Sequence, residues 1–127
     1  MNLSGSLIYE TLNYYKINKS KLYVVHDDLD LEIAKLKIKI GGGNGGHNGL
    51  LSIDKIIGNN YFRIRIGIGH PGNKDLVSSY VLQKFPRSHN ILINKKLDLI
   101  IKYFDLIFKD TSLFLNRITF EEKKDGI

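Results

Sequence analysis

The sequence of 127 residues contains no cysteine, which excludes disulfides, thiol catalysis and cysteine-based metal sites. It has no apolar run near the roughly 20 residues that would span a bilayer. Asn2, Ser4 and Glu10 break up the amino-terminal segment, so no secretory signal is expected. Low-complexity tails and internal repeats are also missing. These absences leave a cytoplasmic globular protein as the expectation. Its 43% hydrophobic and 25% charged residues are globular proportions, and the length allows one domain with a core. Acidic residues are in deficit, with 19 Lys plus Arg against 13 Asp plus Glu for a formal charge of +6. That balance favours a polyanionic partner such as nucleic acid. Lysine dominates over arginine amid abundant isoleucine and asparagine, however, a bias that AT-rich coding produces without selection for binding.

Hydrophobic spacing predicts the elements. Over residues 3–17, Leu3, Leu7, Ile8, Leu12 and Tyr15 can share a helix face, with Ser4 or Asn2 as a cap. Lys21 to Val25 reads as a short buried strand that ends at the acidic cluster HDDLD. Ile33 to Ile40 alternates, with Lys35, Lys37 and Lys39 on a basic outer face. His47 to Ile57 suits a helix stopped at Gly58. Phe62 to Ile68 alternates again, with Arg63 and Arg65 on its polar face. His70-Pro71-Gly72-Asn73 is a turn, and Leu76 to Phe85 a short helix or extended cover. A long amphipathic helix is expected from about Ile91 to Lys109 and a short one around Leu113 to Ile118. This order argues an α/β fold, a mixed sheet covered by helices.

The feature that stands out is GGGNGGHNG, from Gly41 to Gly49, with glycine at six of nine positions. Such density is unfavourable unless the backbone needs positive φ or close approach to a ligand, and the interleaved Asn44, His47 and Asn48 point to a polar site. Gly41, Gly43 and Gly46 fit G-x-G-x-x-G after a strand and before a helix. The dinucleotide pattern also wants an acidic residue about 20 positions on, at the end of the next strand. Phe62 to Gly69 holds arginines and no acid. A phosphate loop fails too, since no Lys-Ser or Lys-Thr follows the glycines. His26, Asp27, Asp28 and Asp30 lie just beyond the first predicted strand, where ligand sites collect. Three readings stand: a metal site, a carboxylate that orients a histidine, or an acidic loop capping its own turn. Asn48 could cap its helix or point its amide at a substrate carbonyl or a water. His70 and His89 read as surface histidines in turns.

Taken together, MNLSG (Met1 to Gly5), VVHDDLDL (Val24 to Leu31), GGGNGGHNGLLSI (Gly41 to Ile53), FRIRIGIGHPG (Phe62 to Gly72) and YVLQKF (Tyr80 to Phe85) closely resemble the bacterial peptidyl-tRNA hydrolase family in order and spacing. The resemblance covers essentially the whole chain. It implies a single α/β domain with a mixed twisted sheet flanked by helices. It further implies a cytoplasmic, monomeric esterase without cofactor or metal, whose partner is peptidyl-tRNA rather than DNA or a membrane. The family hydrolyses the ester between peptide and tRNA by water attack assisted by a histidine base. Carried over by motif, Asp27 holds that histidine in its basic form, Asn2 and Asn48 bind the substrate end, and Lys39 and Arg65 meet tRNA phosphates. Lys39 and Arg65 fit solvated charge on a strand face equally well. In the family the base histidine and another cleft asparagine precede the MNLSG match. The sequence is therefore expected to correspond to the carboxy-terminal two thirds, amino-terminally truncated, and to lack the base, with neither His26 nor His47 replacing it. The competing expectation is a non-catalytic RNA-binding remnant.

Overall fold

The computed structural model describes residues 3–69 and 87–124. Helix α1 spans Ser4–Tyr14, strand β1 Tyr23–Asp28, strand β2 Leu36–Ile40, helix α2 Asn48–Ile57 and strand β3 Phe62–Gly67. Helix α3 spans Arg87–Tyr103 and helix α4 Thr111–Lys124, with 3-10 turns at Lys19–Lys21 and Phe104–Phe108. The sheet order is β1-β3-β2. Phe62 N–H donates to Leu22 C=O, and six residues on Ile68 N–H donates to Asp28 C=O, so β1 and β3 run parallel. Gly41 N–H donates to Tyr61 C=O while Gly67 N–H donates to Lys35 C=O, so β2 and β3 run antiparallel. The sheet is thus mixed.

The chain divides into two compact units, Met1–His26 with Ile38–Ile64 and Asp27–Lys37 with Arg65–Ile127, and all three strands pass from one into the other. In the first unit Leu50, Ile53 and Tyr61 form the core, packed by Ile8, Leu22, Val24 and Ile57. Gly5 is buried in α1. A Cβ there would lie 2.6 Å from the Ser52 carbonyl carbon and 3.0 Å from the Ile53 nitrogen. Helices α1 and α2 therefore meet backbone to backbone, and the Gly5 N–H donates to Ser52 Oγ at 2.9 Å. The face that α1 buries is consequently Gly5, Ile8 and Leu12, while Leu3, Leu7 and Tyr15 of the expected face are exposed. Ser4 does not cap α1. Leu3 holds the cap position without a side-chain bond, and Ser4 is the first helical residue. At the other end Lys16 sits at φ 53. Ile17 N–H returns to Leu12 C=O and Lys16 N–H to Asn13 C=O, a Schellman closure made without glycine.

In the second unit Ile66, Ile68, Ile100, Ile107, Phe114 and Ile118 are buried. Lys96 of α3 pairs with Glu122 of α4. The expected helix from Ile91 to Lys109 starts earlier and gives way at Phe104 to the tighter 3-10 turn, and α4 runs well beyond Ile118. His89 lies inside α3, half-buried, rather than in a turn. Gly67 is the tight point of this unit: a Cβ would fall 2.8 Å from the carbonyl carbons of Leu31 and Glu32. The loop that makes this approach carries Ala34 at φ 62, and Ala34 N–H donates to Gly67 C=O.

Candidate functional site

The glycine loop is built residue by residue from the first unit. Gly41, Gly42, Gly45 and Gly46 all have positive φ, between 60° and 90°, so the sequence uses glycine where L side chains are strained. The loop is fastened at Gly41, Gly42, Gly43, Asn44 and Gly46. Gly41 N–H bonds Tyr61 C=O. Asn59 Nδ2 donates to Gly42 C=O at 3.0 Å, and Arg63 Nη1 donates to Gly43 C=O at 2.6 Å. Asn44 Nδ2 reaches Asp54 Oδ2 at 3.4 Å. Asn44 Oδ1 also accepts the Gly46 N–H at 3.0 Å, an Asx turn, and the Asn44 carbonyl accepts the His47 N–H.

The helix that follows is capped by His47, not Asn48. His47 Nδ1 accepts the Leu50 N–H at 3.2 Å, which frees Asn48 to be the first helical residue, exposed to solvent. In the neutral His47 ring the capping bond places the proton on Nε2. A lone pair spent on a helix cap is poorly suited to general-base work. The His26 ring stands edge-on to it, with centroids 5.4 Å apart.

Beneath the loop sits a cluster with no counterpart in the expected site. Arg63, expected on a polar outer face, is only 2% exposed. Its Nη2 bonds Asp54 Oδ1 at 3.1 Å and Oδ2 at 3.3 Å, which supplies the partner that a buried cation needs. Tyr61 OH donates to Asp54 Oδ1 at 2.8 Å, and the Arg63 guanidinium lies 4.9 Å from the Tyr61 ring centre. Burial, reinforced by the hydrogen bond to the Asp54 carboxylate, pushes the Tyr61 pKa up to about 12. Sequence reading missed this cluster because Asp54 sits in an apolar helical pattern and Arg63 in an alternating strand, each a plausible solvated charge. The signal available was Asp54 flanked by Ile53 and Ile56-Ile57, an acid on a largely apolar helix.

Lys39 is exposed on β2, with its side chain folded along the loop. A Cβ on Gly42 would meet the Lys39 Cε and Nζ at 2.6 Å. His26, Asp27 and Asp28 prove to be the end of β1 rather than a loop beyond it. Asp28 Oδ1 accepts the Asp30 N–H at 2.8 Å, and Asp28 Oδ2 accepts Arg65 Nε at 2.6 Å. Arg65 is thus tied to a carboxylate, with 23% of its side chain exposed. Asp27, half-buried, faces the side of the strand opposite Asp28. Asn2, His70 and the segments 70–73 and 76–85 lie outside the described residues. Among the described residues no group of three His, Cys, Asp or Glu side chains is placed to hold a metal ion, and no helix is long and apolar enough to cross a membrane.

Comparison with known proteins assigns this arrangement. The family model "Peptidyl-tRNA hydrolase" matches residues 1–125. The chain is 53% identical over 110 residues to the peptidyl-tRNA hydrolase of Rickettsia canadensis, covering 87% of this chain and 60% of that protein. It is 49% identical over 119 residues to that of Rickettsia akari, covering 93% and 64%. The crystal structure of peptidyl-tRNA hydrolase from Acinetobacter baumannii superposes with a TM-score of 0.83 at 38% identity, over 93% of this chain and 61% of that one. The chain therefore spans somewhat under two thirds of the length of these relatives. Their fold, a mixed α/β domain with a twisted sheet flanked by helices, is the fold found here, and the chain belongs to the peptidyl-tRNA hydrolase family.

Proposed function

We propose that this polypeptide acts on peptidyl-tRNA as a cytoplasmic, cofactor-free monomer, holding the substrate for hydrolysis of the ester between peptide and tRNA. The observation that carries this reading is Asn48. It is exposed at the first position of α2 because His47 has taken over the cap, and it follows a loop fastened at most of its residues. An exposed amide offers a donor and an acceptor, which suits a carbonyl and an attacking water. Asn2 serves the same substrate end in this reading. Asp27 holds a histidine base in its basic form, and Lys39 and Arg65 take phosphates. His47 is spent as a cap and His26 stands against it, so neither supplies that base.

Purified chain should bind N-acetyl-aminoacyl-tRNA in preference to the deacylated tRNA. It should turn the substrate over about 10²–10⁴-fold more slowly than a relative that carries a general base. Equal affinity for acylated and bare tRNA would refute the substrate assignment. Turnover at the relative's rate would refute the assignment of the base outside these residues. The competing reading, a non-catalytic RNA-binding protein, predicts tRNA affinity with no preference for the acylated end.

A further inference from the structure

We propose that the buried Arg63–Asp54 pair is a positioning device for the substrate amide: it locks the glycine loop so that Asn48 is presented in one orientation. The inference rests on the peptidyl-tRNA reading but names residues that the reading does not use. The pair grips the loop at two consecutive residues, through Arg63 Nη1 to Gly43 C=O at 2.6 Å and Asp54 Oδ2 to Asn44 Nδ2 at 3.4 Å. Asn44 in turn accepts from Gly46 N–H and His47 N–H, and His47 sets the first turn of α2 on which Asn48 stands. Four glycines of positive φ give the loop many alternative paths. One fixed path therefore needs an anchor, and this is the charge-assisted one.

Asp54 also stands on α2 itself, six residues beyond Asn48. The same carboxylate thus ties the loop to the helix whose first residue makes the proposed contact. A guanidinium is required for this geometry, because Nη1 serves the carbonyl while Nη2 serves the carboxylate. An ammonium offers no such fork. The bond between Tyr61 OH and Asp54 supports the carboxylate without touching the loop, and this separates stability from positioning.

The test uses the 127-residue chain and an RNA minihelix ending in CCA, either bare or carrying an N-acetyl-aminoacyl group on a non-hydrolysable 3′ amide. The readout is the ratio of the two Kd values, together with amide hydrogen exchange of residues 43–47 in the free protein. Arg63→Lys and Asp54→Asn are expected to lower the ratio by about tenfold, the equivalent of one well-placed hydrogen bond, toward the value for Asn48→Ala. Affinity for bare RNA should stay within about twofold, since no phosphate contact is removed. Exchange at residues 43–47 should quicken. Tyr61→Phe lowers Tm yet should leave the ratio and the loop exchange unchanged. An unchanged ratio or unchanged loop exchange in Arg63→Lys overturns the proposal, as does a Tyr61→Phe effect on the ratio equal to that of Arg63→Lys. Absence of any preference in the wild-type chain overturns the peptidyl-tRNA reading instead, while quickened loop exchange in Arg63→Lys would still uphold the locking role of the pair.

Discussion

Replacing Gly5 by alanine should be among the most damaging single-methyl changes in this chain. The added Cβ would stand 2.6 Å from the Ser52 carbonyl carbon, nearer still to its oxygen, and 3.0 Å from the Ile53 nitrogen. Ordinary carbon contacts begin near ~3.5 Å, so α1 must retreat from α2 by about 1 Å. Those neighbours are backbone atoms, and no rotamer change can relieve them. Overpacking of this kind costs about 1–3 kcal/mol. The same retreat breaks the bond from Gly5 N–H to Ser52 Oγ, worth about 1 kcal/mol. Better helix propensity returns about 1 kcal/mol, leaving a net loss of roughly 2 kcal/mol. For a domain of this size that lowers Tm by about 8 °C. Ser52→Ala removes the hydrogen bond from Gly5 without the overpacking and should lower Tm by about 4 °C. The double variant should melt close to Gly5→Ala, because the bond is already lost, a non-additivity of about 1 kcal/mol. Circular dichroism melts of the three variants decide the matter. A Gly5→Ala chain that melts at or above wild type would refute the backbone-contact argument, and so would recovery of Tm in the double variant.

Tyr61 should ionise above the ordinary tyrosine range, with a pKa of about 12. Its folded value lies above its unfolded value, so its stabilising contribution is complete below pH 10 and lost as pH rises toward 12. Absorbance at the phenolate band during an alkaline titration should show an ionisation near pH 12, and its absence in Tyr61→Phe completes the assignment. Lys39→Gln should flatten the slope of log K against log salt for RNA by about 0.9 for one duplex phosphate contact; an unchanged slope would return Lys39 to a merely solvated charge. Asp28→Asn keeps the oxygen that accepts the Asp30 N–H but releases Arg65 from its carboxylate. RNA binding at low salt should therefore tighten, and weaker binding would contradict the phosphate role of Arg65.

Periodicity made the element types legible, because alternation at Leu36–Ile40 and at Phe62–Gly67 and the apolar stripe of α2 are local properties. Boundaries were less so. The first strand was expected to stop before the acids, yet it continues through Asp28, because β3 supplies ladder partners that local propensity does not register. The run Gly41 to Gly49 reads as needing positive φ or close approach to a ligand, and four of its glycines take positive φ; close approach of backbone to backbone occurs instead at Gly5 and Gly67, outside the run. Which glycine served which need depended on segments remote in sequence, Ser52 for Gly5 and Glu32 for Gly67. Of the two readings open for Asn48, the cap is the one that the structure removes. Asn is a favoured cap type, but His47 Nδ1 holds the extended position one residue earlier.

Arg63 and Arg65 show most clearly where a one-strand reading ends. Both stand on the same face of β3, and the antiparallel register that sets Gly41 opposite Tyr61 and Lys35 opposite Gly67 places Lys39 opposite Arg63 and Lys37 opposite Arg65. Like charges directly opposite are destabilising in a ladder, so this ribbon needs compensation. It comes from elsewhere in the chain, Asp54 of α2 for Arg63 and Asp28 of β1 for Arg65. The result differs at the two positions. Arg63 is enclosed and turned toward the loop backbone, whereas Arg65 keeps part of its side chain in solvent. The lysines opposite them remain exposed. With both arginines paired to carboxylates, the unpaired positive charge of this alternation is mainly that of the lysines of β2, and what reads as one basic face divides into Arg63, which holds the loop, Arg65, which is tied to β1, and a row of lysines that meets solvent.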